Sequence, residues 1–185
     1  MMLMGGLNPV RPGVAPTAAR RLAVESRILA VRRCARPYTL MADVKKQVLI
    51  EFTPAQMFTL VDGCEDYPQF LPWCGGAEVH ARTETLTVAT IHISYHGIKA
   101  NFTTENTKRA PLEMNIRLKE GPFTHLDGCW RFIPLGDTAC KIEFNLHYQF
   151  SSKLLEKALG PVFNHIASTF VDSFVKRAQQ VYRKG

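Results

Sequence analysis

The chain has 185 residues, 46% of them apolar, which suffices for one domain with an appendage, and no apolar run approaches the roughly 20 residues that span a bilayer as a helix. The formal net charge is +7, yet the first 40 residues hold seven of the 23 basic and one of the 16 acidic side chains, leaving 16 and 15 for the other 145. A domain so near neutrality is not built to bind nucleic acid through bulk charge. Five cysteines without a CxxC pair or a secretory signal indicate free thiols in a reducing compartment, against the alternative that Cys64 and Cys74 pair.

Residues 1–40 are rich in Arg, Pro, Ala and Gly and contain one aromatic residue, Tyr38, against 17 in the remainder. Such a segment cannot build a core. Residues 18–36 read as a basic amphipathic helix of mitochondrial transit-peptide character, against the plainer reading of a mis-called start or disordered leader ahead of Met41. The folded domain is expected over residues 41–185.

Val44 to Phe52 alternates as a first strand. Thr53-Pro54-Ala55-Gln56 is a full helix start, with Thr as N-cap, Pro at the first helical position and Gln three residues on to close a capping box. Met57, Phe58, Leu60 and Val61 form the buried side of this short helix, and Asp62-Gly63 ends it. Asp66 to Cys74 follows, with one turn of helix expected between Pro68 and Pro72, before Gly75-Gly76 releases the chain into strands.

From Ala77 to Phe150 the apolar period is two and turns recur at regular intervals, which predicts an antiparallel meander with strands over 77–83, 86–95, 98–107, 112–119, 126–134 and 138–150. In the last, Cys140, Ile142, Phe144, Leu146, Tyr148 and Phe150 face one way and Lys141, Glu143, Asn145, His147 and Gln149 the other. Leu112, Met114, Ile116 and Leu118 repeat the rule, as do Leu126, Gly128, Trp130 and Phe132. One face of the sheet is therefore dry.

Residues 152–185 then read as one long amphipathic helix. Leu155, Leu159, Val162, Ile166, Phe170 and Phe174 recur at steps of three and four, with Leu154, Ala158, Phe163, Ala167, Val171 and Val175 widening the stripe. Ser152 is the expected N-cap, and Gly160-Pro161 the expected kink. Strand, two short helices, six strands and a long helix give an α+β fold: a seven-stranded, curved antiparallel sheet whose dry face is covered by the C-terminal helix, with an apolar cavity between them.

The order of elements is similar to the helix-grip fold of the START-like (polyketide cyclase/dehydrase-type) superfamily. Tyr67-Pro68-Gln69-Phe70-Leu71-Pro72-Trp73-Cys74 resembles the hallmark of its coenzyme Q-binding branch. Gly121-Pro122-Phe123, Trp130-Arg131-Phe132 and Cys140-Lys141-Ile142-Glu143-Phe144 resemble further signatures. The likeness covers about residues 41 to 183 and is stronger to the bacterial members, which include a ribosome association toxin. It implies a non-enzymatic protein that binds ubiquinone or a similar polyprenyl quinone in support of respiration, in the cytoplasm at the periphery of the bacterial inner membrane, or on the matrix side of the mitochondrial one if residues 1–40 are a transit peptide. The alternative it implies is a translation inhibitor that binds the large ribosomal subunit and blocks subunit joining. No sequence-specific nucleic-acid partner is expected.

The expected site follows. Tyr67, Phe70, Leu71, Pro72 and Trp73 form either a plug or the mouth of the cavity, where aromatic groups with polar tips meet a quinone head or the membrane interface. Phe123, Trp130, Phe144 and Tyr148 line the sheet side, and Phe163 and Phe170 the helix side. Two or three isoprene units inside would suffice for micromolar binding, and alanine at Trp73 or Trp130 is expected to weaken quinone binding tenfold or more in a domain that stays folded. Contact with a ribosome or an anionic membrane would be local, through Lys45, Lys46, Lys108 and Arg109 or through Lys176, Arg177, Arg183 and Lys184. The six histidines offer no metal-ligand set: His92 and His96 share a face yet lie about 13 Å apart along a strand. HExxH, GxSxG and phosphate-cradling glycine loops do not occur. A cyclase-like enzyme would need polar groups converging inside the cavity, and Glu143 faces away from it.

Overall fold

The computed structural model of the protein describes residues 41–183. The expectations for residues 1–40, and for Lys184, lie outside this range. Strand β1 (Ala42–Ile50) leads into helix α1 (Pro54–Asp62), a 3₁₀ helix (Cys64–Gln69), strands β2 (Cys74–Arg82), β3 (Leu86–Tyr95), β4 (Ile98–Arg109), β5 (Glu113–Glu120), β6 (Phe123–Leu135) and β7 (Ala139–Phe150), and helix α2 (Lys153–Tyr182). The seven strands form one antiparallel sheet in the order β1-β7-β6-β5-β4-β3-β2. This is the helix-grip architecture that the sequence predicts.

The period-two pattern is strictest in β7, where all six inward residues from Cys140 to Phe150 are buried. Burying each large apolar side chain is worth about 1.5–3 kcal/mol, so a one-residue slip of this strand would forfeit the row. Leu126, Gly128, Trp130 and Phe132 of β6 are buried beside them, with Trp130 opposite Phe144 and Phe132 opposite Ile142. Leu112 departs from the expected row: it sits in the turn that returns its N–H to the Arg109 carbonyl and is 46% exposed.

β2 starts three residues earlier than predicted, because Gly75-Gly76 does not release the chain. Cys74 pairs with Ile93 and Gly76 with His92 across a bulge, and a Cβ on Gly75 would stand 2.8 Å from Ser94 Cβ. Glycine here permits close backbone approach.

Helix α1 carries both halves of the capping box: Gln56 N–H donates to Thr53 Oγ1 at 3.2 Å, and Thr53 N–H to Gln56 Oε1 at 2.8 Å. Helix α2 starts on Ser152, whose Oγ accepts from Leu155 N–H at 3.2 Å. It runs unbroken through Gly160-Pro161. Its buried stripe is Phe163, Ile166, Ala167, Val171, Phe174 and Ala178, whereas Leu154 is 77% exposed and Ala158 also faces solvent. The stripe is narrower at the start of the helix than the sequence predicts, because the sheet curls under only part of it. Cys64, Cys74, Cys129 and Cys140 are all free thiols.

Candidate ligand-binding cavity

Between the concave sheet face and α2 lies an apolar cavity of about 80 Å³. Alternation on five strands aims one row of side chains into it, and α2 closes it with Phe163, Ile166, Ala167 and Phe170. Phe170 is the hub of the helix side. Its ring centroid lies 5.6 Å from Trp130, 5.6 Å from Phe144, 5.8 Å from Trp73 and 6.3 Å from Tyr67.

Of the expected site residues, Tyr67, Trp73, Trp130, Phe144, Phe163 and Phe170 line this cavity together. Tyr67, Leu71 and Trp73 are 7%, 1% and 2% exposed, so they are packed inside and do not form a solvent-facing mouth. Tyr67 O–H donates to the Val61 carbonyl at 2.7 Å, which turns its polar tip inward, and burial holds its phenol well above the ordinary range. Phe70 is half-buried outside the cavity, 5.1 Å from Phe174 with the Arg177 guanidinium 5.4 Å above its ring, and Pro72 is exposed. The segment thus works as a plug stapled to the second half of α2. Leu71 and Pro72 do not line the cavity.

Phe123 and Tyr148 also stand outside it. They back Phe163, at 4.9 and 4.6 Å between ring centroids, and Tyr148 O–H donates to Asn164 Oδ1. Phe123 and Phe163 border a smaller apolar cleft with Ile98, Ala100, Leu159 and Val162. Phe163 is therefore the partition between the two spaces.

The sequence reading misses Thr104 and Asn106, which line the cavity from β4, and Cys64, which lines it from the 3₁₀ helix. The signal was present in Ile98 to Arg109: at even positions the strand reads Ile, Ala, Phe, Thr, Asn, Lys, so its inward row changes from apolar to polar halfway along. Trp73 Nε1 and Asn106 Oδ1 are buried with no hydrogen-bond partner.

An ion-pair network closes the structure beyond Asn106. Lys108 Nζ donates to Asp62 Oδ2 at 2.9 Å and Thr87 O–H to Asp62 Oδ1 at 2.8 Å. Arg82 donates to Glu65 Oε1 at 2.5 Å and Oε2 at 2.8 Å, and to the Asp62 carbonyl at 2.7 Å. Lys108 is 7% exposed and neutralised, so it leaves the set of surface docking candidates. Arg177 is held by Gln69 at 2.7 Å, and Arg183 by Glu51 at 2.6 Å.

Arg82's hydrogen bonds hold the Glu65 carboxyl below its ordinary value. A depressed carboxylate contributes stability above the ordinary glutamate pKa of about 4.3 and loses it as pH falls through the folded value. Thermal melts between about pH 5 and pH 3 are therefore expected to show a smaller acid-induced fall for Arg82→Gln than for the parent, because the variant has already lost this linkage.

The cavity wall holds one thiol, that of Cys64, and no charged side chain. Burial, followed by the nearby Glu65 charge, pushes the Cys64 thiol up to about 11, so it is protonated near neutrality and a poor nucleophile. Glu143 is engaged by Lys141 at 2.7 Å on the far side of β7. Among the described residues no three His, Cys, Asp or Glu side chains gather as a metal site, and no helix is long and apolar enough to cross a membrane.

Comparison with known proteins agrees with this architecture. The chain is 42% identical over 142 residues, 77% of its length and 99% of the relative's, to the ribosome association toxin RatA of Vibrio cholerae. It is 24% identical over 139 residues, 72% of its own length and 57% of the relative's, to the mitochondrial coenzyme Q-binding protein COQ10 homolog B of Xenopus laevis. The Zhui aromatase/cyclase of a Streptomyces species superposes with a TM-score of 0.64 at 14% identity, over 79% of this chain and 99% of that one, which establishes the fold alone. Residues 50–175 match the family of polyketide cyclase / dehydrase and lipid transport proteins. With that match over most of the chain, and with a seven-stranded sheet gripping one long helix around an apolar cavity, the protein belongs to this START-like family.

Proposed function

We propose that the protein is a non-enzymatic binder of a polyprenyl quinone, acting in the cytoplasm at the face of the inner membrane in support of respiratory electron transport. The observation that carries this reading is the apolar cavity under α2, walled by Trp73, Trp130, Phe144 and Phe170 without a charged side chain. Each isoprene unit transferred from water into such a space contributes roughly 3 kcal/mol, and micromolar binding requires about 8 kcal/mol. The volume adds a condition. At about 80 Å³ the cavity is smaller than the roughly 150 Å³ apolar cavity that accepts a benzene ring. Two or three isoprene units therefore enter only when α2 lifts or Phe163 and Phe170 turn aside, and loading is coupled to opening of the grip.

A second reading is ribosome association with inhibition of translation, supported by the 42% identity to a protein of that name. It requires an outer surface and not a filled cavity, so both activities can reside in one domain. Organic extraction of the purified full chain followed by mass spectrometry is expected to recover ubiquinone. An extract free of quinone, together with co-sedimentation of the protein with large ribosomal subunits, would put the second reading first.

A further inference from the structure

The cavity has two chemically different ends. Along β4 the inward side chains pass from Ile98 and Ala100, which border the small cleft, through Phe102 to Thr104 and Asn106, which line the main cavity. Of three buried side-chain polar atoms without a partner among the described residues, Trp73 Nε1 and Asn106 Oδ1 belong to residues of the main cavity's wall, and the third, Arg177 Nε, does not. Trp73 is 2% exposed and its Nε1–H lacks an acceptor, while Asn106 Oδ1 lacks a donor. The Trp73 ring reaches in far enough to stand 5.8 Å from Phe170, on the stretch of α2 beyond Phe163. A buried polar group without a partner is unfavourable in apolar surroundings, and a ligand that supplies the missing partner removes that penalty. The nearest buried cation, Lys108, is already committed to Asp62, so the cavity offers hydrogen bonds and no net charge.

We infer that the tailed ligand sits with its polar end inward: an uncharged, oxygen-bearing head accepts a hydrogen bond from Trp73 Nε1–H and bonds the Asn106 amide, and its tail runs past Phe102 and Phe163 towards the cleft of Ile98, Leu159 and Val162. This rests on the quinone-binding reading and keeps the head beside Trp73, as the sequence predicts, but against a buried wall and not at a solvent-facing mouth. The Asn106 amide can present oxygen or nitrogen, so it pairs with a hydroxyl or a carbonyl. A carboxylate or phosphate head is disfavoured, because no free cation lines the wall. Phe163 becomes the residue that the tail displaces.

The full chain has two tryptophans, so a ¹⁵N-labelled sample shows two indole N–H signals, assigned through Trp73→Phe or, should that variant not fold, through sequential backbone correlations. The probes are ubiquinone with two isoprene units and farnesene, a hydrocarbon tail without a head. The Trp73 indole signal is expected to move downfield with the quinone and not with farnesene. Asn106→Leu is expected to weaken quinone binding about tenfold, the equivalent of one hydrogen bond, while leaving farnesene binding near the parent value. Quinone binding with an unmoved Trp73 signal and an unaffected Asn106→Leu variant would show the head outside and overturn the orientation alone. Failure of the quinone to bind at all would overturn the orientation and the functional reading together.

Discussion

Replacing Trp130 with alanine is expected to destabilise the domain by about 3–5 kcal/mol, read as a shift of the urea unfolding midpoint at unchanged slope. Trp130 is 1% exposed, stacks on Phe132 at 3° between ring planes, and has ring centroids of Phe144, Phe174 and Phe170 within 4.4, 5.4 and 5.6 Å. Its removal enlarges the existing cavity, and the rigid β6–β7 pairing beneath it cannot collapse to fill the space. Domains of this size are stable by only about 5–15 kcal/mol, so the loss is a large part of the whole. The sequence expectation of an alanine variant that loses quinone but keeps its fold intact is thereby revised for Trp130, and for Trp73 at 2% exposure. Lost binding in either alanine variant would report lost packing as much as lost contact. A change below about 1 kcal/mol would mean that the helix closes over the vacancy, and with it that the grip is far more pliable than its packing implies.

Asp62→Ala is expected to destabilise by a similar amount, about 3–5 kcal/mol, for an electrostatic reason. The Lys108 side chain is 4% exposed and its ammonium is 2.9 Å from Asp62 Oδ2, with Arg82 Nε 3.8 Å from the same oxygen. Removing the carboxylate strands a buried cation, and Thr87 O–H loses its acceptor. Lys108→Met should be milder, because Asp62 is 18% exposed on its side chain and keeps Thr87 and Arg82 beside it. The double variant Asp62→Ala with Lys108→Met should cost clearly less than the sum of the two single changes, since it leaves no buried charge without its partner. Urea unfolding of the parent, the two single variants and the double one gives the coupling directly. If Asp62→Ala and Lys108→Met turned out equal and their effects additive, the pair would be behaving as an exposed salt bridge, contrary to its burial.

This ion pair marks the division between local and tertiary information. Alternation along Cys140 to Phe150, the Thr53–Gln56 capping box, and the three-and-four spacing from Leu155 to Phe174 are local patterns, and each dictates an element wherever the chain goes. They suffice for an α+β sheet-and-helix domain with a dry face, and they place Trp130, Phe144, Phe163 and Phe170 against one cavity. The resemblance carried by Tyr67 to Cys74 is equally local.

What local pattern could not decide is which part of a dry face touches a neighbour and which part is left open. Leu154 and Leu112 satisfy their periodicities and still face solvent, Leu154 in the first turn of α2 and Leu112 in the turn between β4 and β5. Lys108 reads as a surface cation until Asp62, 46 residues earlier in sequence, meets it. Trp73 and Tyr67 read as a mouth until α2 covers them, and Phe123 and Tyr148 line the cavity only until Phe163 is set between. Thr104 and Asn106 share the even-numbered face of β4 with Ile98, Ala100 and Phe102, and that the polar half of this row lines a cavity is decided only when the sheet closes around α2. Periodicity says which side of a strand or helix is buried, a one-body property of each element. The cavity is a gap between bodies, set by sheet curvature and by where one helix rests, and those are determined only when all eight partners are in place together.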